Sequence, residues 1–165
     1  MDLPAVFIID AANEATTYLL ENEALSVKSL DRFLNNFKSN RLVKYIKSLP
    51  IPPASSEAVQ TVVRKNYDQV VRSSSKDFLI MYFATWCGHC TQFKPKFEEL
   101  AKRFAQNTNL GFAKIDGVNN LVEDVAISGY PTLYFFKNGQ KSSPIQYEGN
   151  RDPEDLIQFI KKHTT

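Results

Sequence analysis

Residues 78–90 read Phe78-Leu79-Ile80-Met81-Tyr82-Phe83-Ala84-Thr85-Trp86-Cys87-Gly88-His89-Cys90, and this stretch holds both cysteines of the chain. The run from Phe78 to Ala84 is apolar without alternation, the pattern of a strand covered on both faces. It empties into Cys-x-x-Cys at the start of a helix. That arrangement suits thiol-disulfide exchange, because one sulfur is favoured as a thiolate and a second stands within reach.

Cys87 at a helix start faces unpaired backbone amides and the positive end of the helix dipole. The dipole contributes only about 0.3 to 1 kcal/mol, whereas each pKa unit below about 8.5 takes about 1.4 kcal/mol. His89 must therefore supply much of the remainder, by charge or by hydrogen bonding. Cys87 is the expected nucleophile, and Cys90 the resolving thiol that expels a substrate held as a mixed disulfide. Making the thiolate easier to form also stabilises the reduced state, so the corresponding disulfide becomes a better oxidant. Zinc is the competing use of these residues, but two cysteines and His89 offer three donors crowded into one turn, against the four that structural zinc needs.

Working outward, Gln60 to Val63 reads as a short strand, Tyr67 to Val71 as a short helix, and Cys87 to Phe104 as a helix with Phe93, Phe97, Leu100, Ala101 and Phe104 on one side. Pro95 should kink that helix. Leu110 to Ile115 reads as a strand, Leu121 to Ile127 as a helix, Thr132 to Phe136 as a strand, and Ile145 to Tyr147 as the last strand. Asn138-Gly139 signals the turn between these last two, in a connection longer than two residues. Asp152 caps a final helix with Pro153 at its first position. The order implies an α/β fold, a central mixed sheet with helices on both faces.

Leu49-Pro50-Ile51-Pro52-Pro53 lacks three backbone donors and any apolar periodicity, so residues 49–57 read as an extended linker. Before it, Ala5 to Ile9 and Thr17 to Leu20 read as strands, and Val27 to Phe37 as a helix with Val27, Leu30, Phe33, Leu34 and Phe37 on one side. This strand, strand, helix order repeats the ending of the second module. Residues 1–48 are thus expected to be the tail of one unit, and 58–165 a complete second unit. Such a half-unit leaves a sheet edge and an apolar face uncovered, as in a piece of a longer multidomain protein.

Composition narrows the function classes. With 165 residues, 43% hydrophobic and 23% charged, the chain is of ordinary globular type, and its net charge of +2 offers no footprint for nucleic acid. No apolar run approaches the roughly 20 residues of a membrane span, and Met1-Asp2-Leu3-Pro4 lacks the basic and apolar regions of a signal peptide. No nucleic-acid or membrane role is expected. Two cysteines are too few to staple a small secreted scaffold, which leaves them as working groups.

Taken together, Tyr82-Phe83-Ala84-Thr85-Trp86-Cys87-Gly88-His89-Cys90, Pro95, Lys114-Ile115-Asp116, Gly129-Tyr130-Pro131-Thr132 and Gly149-Asn150-Arg151 make the chain resemble the thioredoxin superfamily. The likeness is to the last catalytic domain of the protein disulfide isomerases, preceded by the end of a peptide-binding b′ domain. It covers about residues 58 to 163 through these motifs, and residues 1–48 through element order and position. It implies a thioredoxin fold preceded by a partial thioredoxin-like β-β-α segment, and Cys87-Gly88-His89-Cys90 as the catalytic site, with no cofactor beyond its redox-active disulfide. Trp86 becomes an exposed flank of that site. Tyr130-Pro131 becomes a cis-proline loop that faces the disulfide and binds the substrate backbone. Arg151 becomes a mobile cation that approaches the resolving cysteine and favours its thiolate.

Met81 departs from the family. Six residues before the first cysteine, related domains carry a buried glutamate that shuttles protons for the resolving thiol, often paired with the lysine that matches Lys114. A thioether takes no proton, so Lys114 is exposed, differently paired, or itself the proton carrier. Thr85 stands where a proline is common and leaves the loop less rigid.

The leading expectation is an enzyme that forms, reduces and rearranges disulfides in folding polypeptides, recycled by an upstream oxidase or glutathione. The resemblance places it in the endoplasmic reticulum lumen, although no retention tetrapeptide follows Lys161-Lys162-His163-Thr164-Thr165. A reducing, thioredoxin-like role is the second possibility, in which Gly-Pro rather than Gly-His would be usual between the cysteines. A chaperone-like binding module with incidental thiols is the third.

Overall fold

The computed structural model describes residues 5–13, 15–21 and 23–164; the Met1 to Pro4 start read above for a leader lies outside the described residues. Strand β4, Asp77–Phe83, runs through the middle of a sheet. It pairs in parallel with β5, Leu110–Asp116, and antiparallel with β6, Thr132–Phe136. Strands β3, Val59–Thr61, and β7, Ile145–Tyr147, complete the order β3-β5-β4-β6-β7. Among the described residues no helix is long and apolar enough to cross a membrane.

The pleat of β4 explains why its apolar run does not alternate. Leu79 and Met81 enter one core layer, with Phe93, Phe97 and Leu100 of helix α3, Gly88–Arg103, and Leu156 and Ile160 of helix α4, Pro153–His163. Phe78, Ile80 and Tyr82 enter the opposite layer, with Val62, Tyr67 and Val71. Each full burial of such a side chain is worth about 1.5–3 kcal/mol, so two covered faces fix the register of this strand firmly. The second layer also holds a polar pair, the Tyr67 and Tyr82 hydroxyls 2.8 Å apart.

Three elements differ from expectation. Residues Leu121 to Ile127 form no helix. Val122, Val125 and Ile127 are β-branched, which costs them rotamer freedom in a helix, and they pack against the second layer from an irregular segment. The short helix expected at Tyr67 to Val71 begins earlier, as α2, Arg64–Tyr67, and widens into a π-helical turn, Asp68–Arg72, closed by Ser73 N–H donating to Asp68 O at 2.8 Å. Strand β3 starts at Val59, though Val62 N–H still donates to Lys114 O at 2.9 Å beyond its end. The connection from β6 to β7 contains Asn138-Gly139, with Gly139 at φ +76°, a conformation glycine adopts without penalty. Asp77, buried at the start of β4, accepts from Asn138 N–H at 2.7 Å and ties this turn down.

The chain divides into two compact units, one up to Ile46 and one from Lys47. The second is therefore secured ahead of the proline-rich stretch: Lys47 Nζ donates to Val118 O at 2.7 Å, and Leu49 N–H donates to Asn120 Oδ1 at 3.0 Å. Asn120 is buried, also accepts from Arg64 N–H at 3.0 Å, and gives its own amide proton to Asp116 O at 2.9 Å. In the first unit, β1, Phe7–Asp10, and β2, Thr16–Leu19, form an antiparallel hairpin, followed by α1, Val27–Lys38, capped by Ser26. On the apolar side of α1 Phe33 is buried, whereas Val27 (78%) and Leu34 (47%) are exposed.

Candidate active site

The parallel strand β4 ends against the N-terminus of α3, and the linking turn is closed by Cys87 N–H donating to Ala84 O at 3.2 Å. Cys87 is the N-cap of α3, so its side chain falls where a serine or aspartate oxygen would otherwise meet the free amides. Cys90 N–H points at Cys87 Sγ across 3.1 Å. This is the amide-to-sulfur contact that favours a thiolate once the bond to Cys90 is reduced. The two cysteines form a disulfide with Cα atoms 5.3 Å apart, and both are nearly covered, at 6% and 3% exposure.

The loop before β6 closes the other side. Its Tyr130-Pro131 bond is cis, and the Tyr130 carbonyl oxygen lies 3.5 Å from Cys87 Sγ. Thr132 Oγ1 donates to Gly129 O at 2.6 Å and braces the loop. The Trp86 and Tyr130 rings meet edge to face with centroids 6.0 Å apart, and Trp86 is 73% exposed, so a large apolar surface stands open beside the sulfur. A Cβ added at Gly88 would meet nothing within 4 Å, so the position between the two cysteines stands open. A groove of about 280 Å³ continues along the proline loop against β7 and Arg151.

Six of the residues singled out in the sequence therefore converge: Trp86, Cys87, Gly88, Cys90, Tyr130 and Pro131. His89 is exposed on the first turn of α3. Arg151 reaches the loop rather than Cys90, with Nη2 donating to Pro131 O at 3.0 Å. Lys114 is differently paired: its Nζ lies 3.3 Å from Glu98 Oε1 and 3.7 Å from Glu57 Oε2. Met81 is fully buried. Among the described residues no three His, Cys, Asp or Glu side chains gather as a metal set.

One feature escaped the sequence reading. A cavity of about 140 Å³ opens between Met81, Phe83, Cys90, Thr91 and Lys94. Lys94 lies one turn beyond Cys90, a spacing that puts both on one face of a helix, and this was the available signal.

The thioredoxin family profile matches residues 58–162. Protein disulfide-isomerase A3 of Gallus gallus is 39% identical over 139 residues, which cover 84% of this chain and 28% of that protein. Protein disulfide-isomerase A4 of Homo sapiens is 38% identical over 151 residues, covering 90% of this chain and 23% of that protein. The chain spans less than a third of the length of either relative. Among solved structures, the first thioredoxin domain of mouse Protein disulfide-isomerase A4 is similar with a TM-score of 0.58 at 27% identity, over 68% of this chain and 79% of that one.

Proposed function

The chain belongs to the thioredoxin family, and from that membership we propose that it is a protein thiol-disulfide oxidoreductase and isomerase. The observation that carries the reading is the position of Cys87 Sγ, 3.1 Å from the Cys90 amide and 3.5 Å from the Tyr130 carbonyl. An anion at that sulfur has an amide donor behind it and the exposed Trp86 beside it.

In the reduced protein the Cys87 thiolate attacks a substrate disulfide. The Cys87–substrate bond forms, and the displaced substrate sulfur leaves with the electron pair and takes a proton from solvent. Cys90 then attacks Cys87, reforming the protein disulfide and releasing the substrate thiol; run backwards, the same steps insert a disulfide into a reduced substrate. Attack on the mixed disulfide by another substrate thiol gives rearrangement. Trp86, Tyr130 and Pro131 are assigned to the substrate chain, Gly88 to an open approach, and His89 to thiolate formation. Arg151 is assigned to the resolving step after leaving Pro131. The reading calls for no cofactor beyond the Cys87–Cys90 pair.

Folding, cysteine-containing polypeptides are the proposed substrates, with an upstream oxidase or glutathione restoring the disulfide, in the endoplasmic reticulum lumen. Likeness to Protein disulfide-isomerase A4 over 90% of the chain supports reading residues 1–48 as the end of a preceding b′-like domain, with 49–57 as linker and 58–165 as catalytic domain. A test is the refolding of a scrambled disulfide protein. The parent chain should restore activity, and Cys87→Ser should lose essentially all of it; equal rates for the two overturn the assignment.

A polypeptide-holding role is favoured by one observation on the first unit, the exposure of Ile9, Val27 and Leu34. Full retention of refolding activity by a Cys87→Ser, Cys90→Ser variant would favour holding over exchange.

A further inference from the structure

The resolving step asks a covered sulfur to become an anion. Cys90 is 3% exposed in the disulfide form, and removal from water disfavours a thiolate. Something near it must offset that cost, and the neighbouring elements can be searched in turn. From β4 the near residues are Met81 and Phe83, which carry neither charge nor titratable proton. On β5, Lys114 is engaged by Glu98 and Glu57. From the proline loop Tyr130 presents a neutral phenol, and Arg151, held by Pro131 O, has first to leave that carbonyl to act on Cys90. On α3, His89 is exposed on the outer turn. The remaining cation is Lys94, which lines the same 140 Å³ cavity as Cys90 and Met81. Its Nζ sits 5.2 Å from the centroid of the Phe83 ring, an aromatic face that holds an ammonium in place at the cavity wall.

We propose that Lys94 is a resident cation that stabilises the Cys90 thiolate during substrate release, in place before Arg151 arrives and compensating for the methionine at position 81. The inference rests on the exchange reading of the Cys87–Cys90 site. Cys90 gives its proton to a solvent water in the cavity, whose lining of Thr85, Thr91 and Lys94 supplies polar partners for water. The thiolate, held by the ammonium, attacks Cys87 Sγ. The Cys87–Cys90 bond forms as the Cys87–substrate bond breaks; Cys90 is oxidised, Cys87 stays at the disulfide level, and the substrate sulfur leaves reduced and is protonated by solvent. Lys94 donates no proton in this scheme; it lowers the energy of one charge state. The lysine acts on the reacting sulfur itself, and the Phe83 ring is its support.

The test separates Cys90 from Cys87. In a Cys87→Ser background, with Cys90 as the sole thiol, alkylation by iodoacetamide is followed from pH 6 to 10 for the parent, Lys94→Met and Lys94→Arg. Lys94→Met keeps the packing on Phe83 but removes the charge. It should slow neutral-pH alkylation of Cys90 by about tenfold and move the profile alkaline, while Lys94→Arg stays near the parent, the size expected for one nearby charge in a partly screened site. In the two-cysteine protein, release from a glutathione mixed disulfide should slow by a similar factor in Lys94→Met. Identical Cys90 profiles in the parent and Lys94→Met overturn the proposal, as does a loss of the same size in Lys94→Arg. Alkylation of Cys87 in the two-cysteine parent judges the exchange reading separately: a fast Cys87 with an indifferent Cys90 sinks the Lys94 assignment alone.

Discussion

Met81 stands opposite Lys114 in the parallel ladder of β4 and β5, yet the lysine's ammonium turns to Glu98 and Glu57. A buried apolar side chain leaves it nothing to pair with on the strand. Met81→Glu would return a carboxylate to the cavity that holds Cys90 and Lys94. Substrate release from the mixed disulfide should then speed up by at least about tenfold in stopped-flow assays, since a positioned proton acceptor is supplied. The same carboxylate enters the layer of Phe93 and Phe97, so stability to urea should fall by about 1–3 kcal/mol. An unchanged release rate would show that the missing carboxylate at position 81 does not limit release.

The Tyr67–Tyr82 hydroxyl pair gives a stability test. Tyr82→Phe strands the buried Tyr67 hydroxyl and should cost about 1–3 kcal/mol, while the double change to phenylalanine should cost less than the sum of the single ones. Burial, first of all, holds both phenols above their ordinary range. The folded chain thus keeps protons that the unfolded chain sheds above about pH 10, so stability is present below that pH and declines as pH climbs past it. Urea midpoints between pH 9 and 11 should show a shallower decline in the double variant.

Lys141 predicts the opposite slope at lower pH. Burial lowers it to about 8, against a smaller opposing pull from Asp77, while its ammonium lies 5.2 Å from the Phe78 ring centroid and donates to Lys76 O. Above that value the folded chain has released a proton that the unfolded chain keeps until about pH 10.4, so stability rises with pH across this window and is lost as pH falls through 8. Lys141→Met should flatten the rise in urea midpoint between pH 8 and pH 9.5. An identical rise in both proteins would contradict the assignment.

Asn120 fastens the segment before the prolines. Asn120→Ala leaves the Leu49 and Arg64 amides without their acceptor, at about 1–3 kcal/mol for each that stays dry. Limited proteolysis should then cut within residues 49–57 several times faster, with the parent cleavage rate as the contrary result.

Much of this was legible in the sequence because the decisive signals are local. The unbroken run of β4, the Cys-x-x-Cys at a helix start, and Asp152-Pro153 before α4 need no knowledge of distant partners. The cis loop at Pro131 came from resemblance, since nothing in Tyr130-Pro131 alone distinguishes cis from trans. Leu121, Val122 and Val125 misled because apolar residues three and four apart also suit an irregular segment lying across a core. Asn120 was invisible for another reason, since it is an ordinary polar residue until folding brings Leu49 to it, while Lys94 carried only its one-turn spacing from Cys90.

The account stands on how readily Cys87 becomes an anion. In a reduced Cys90→Ala variant, with Cys87 the only thiol, the iodoacetamide rate should reach half its plateau well below pH 8.5, where an ordinary cysteine titrates, and should exceed that of glutathione at pH 6.5. A profile coinciding with that of glutathione would contradict activation at this sulfur and leave the site without its chemistry.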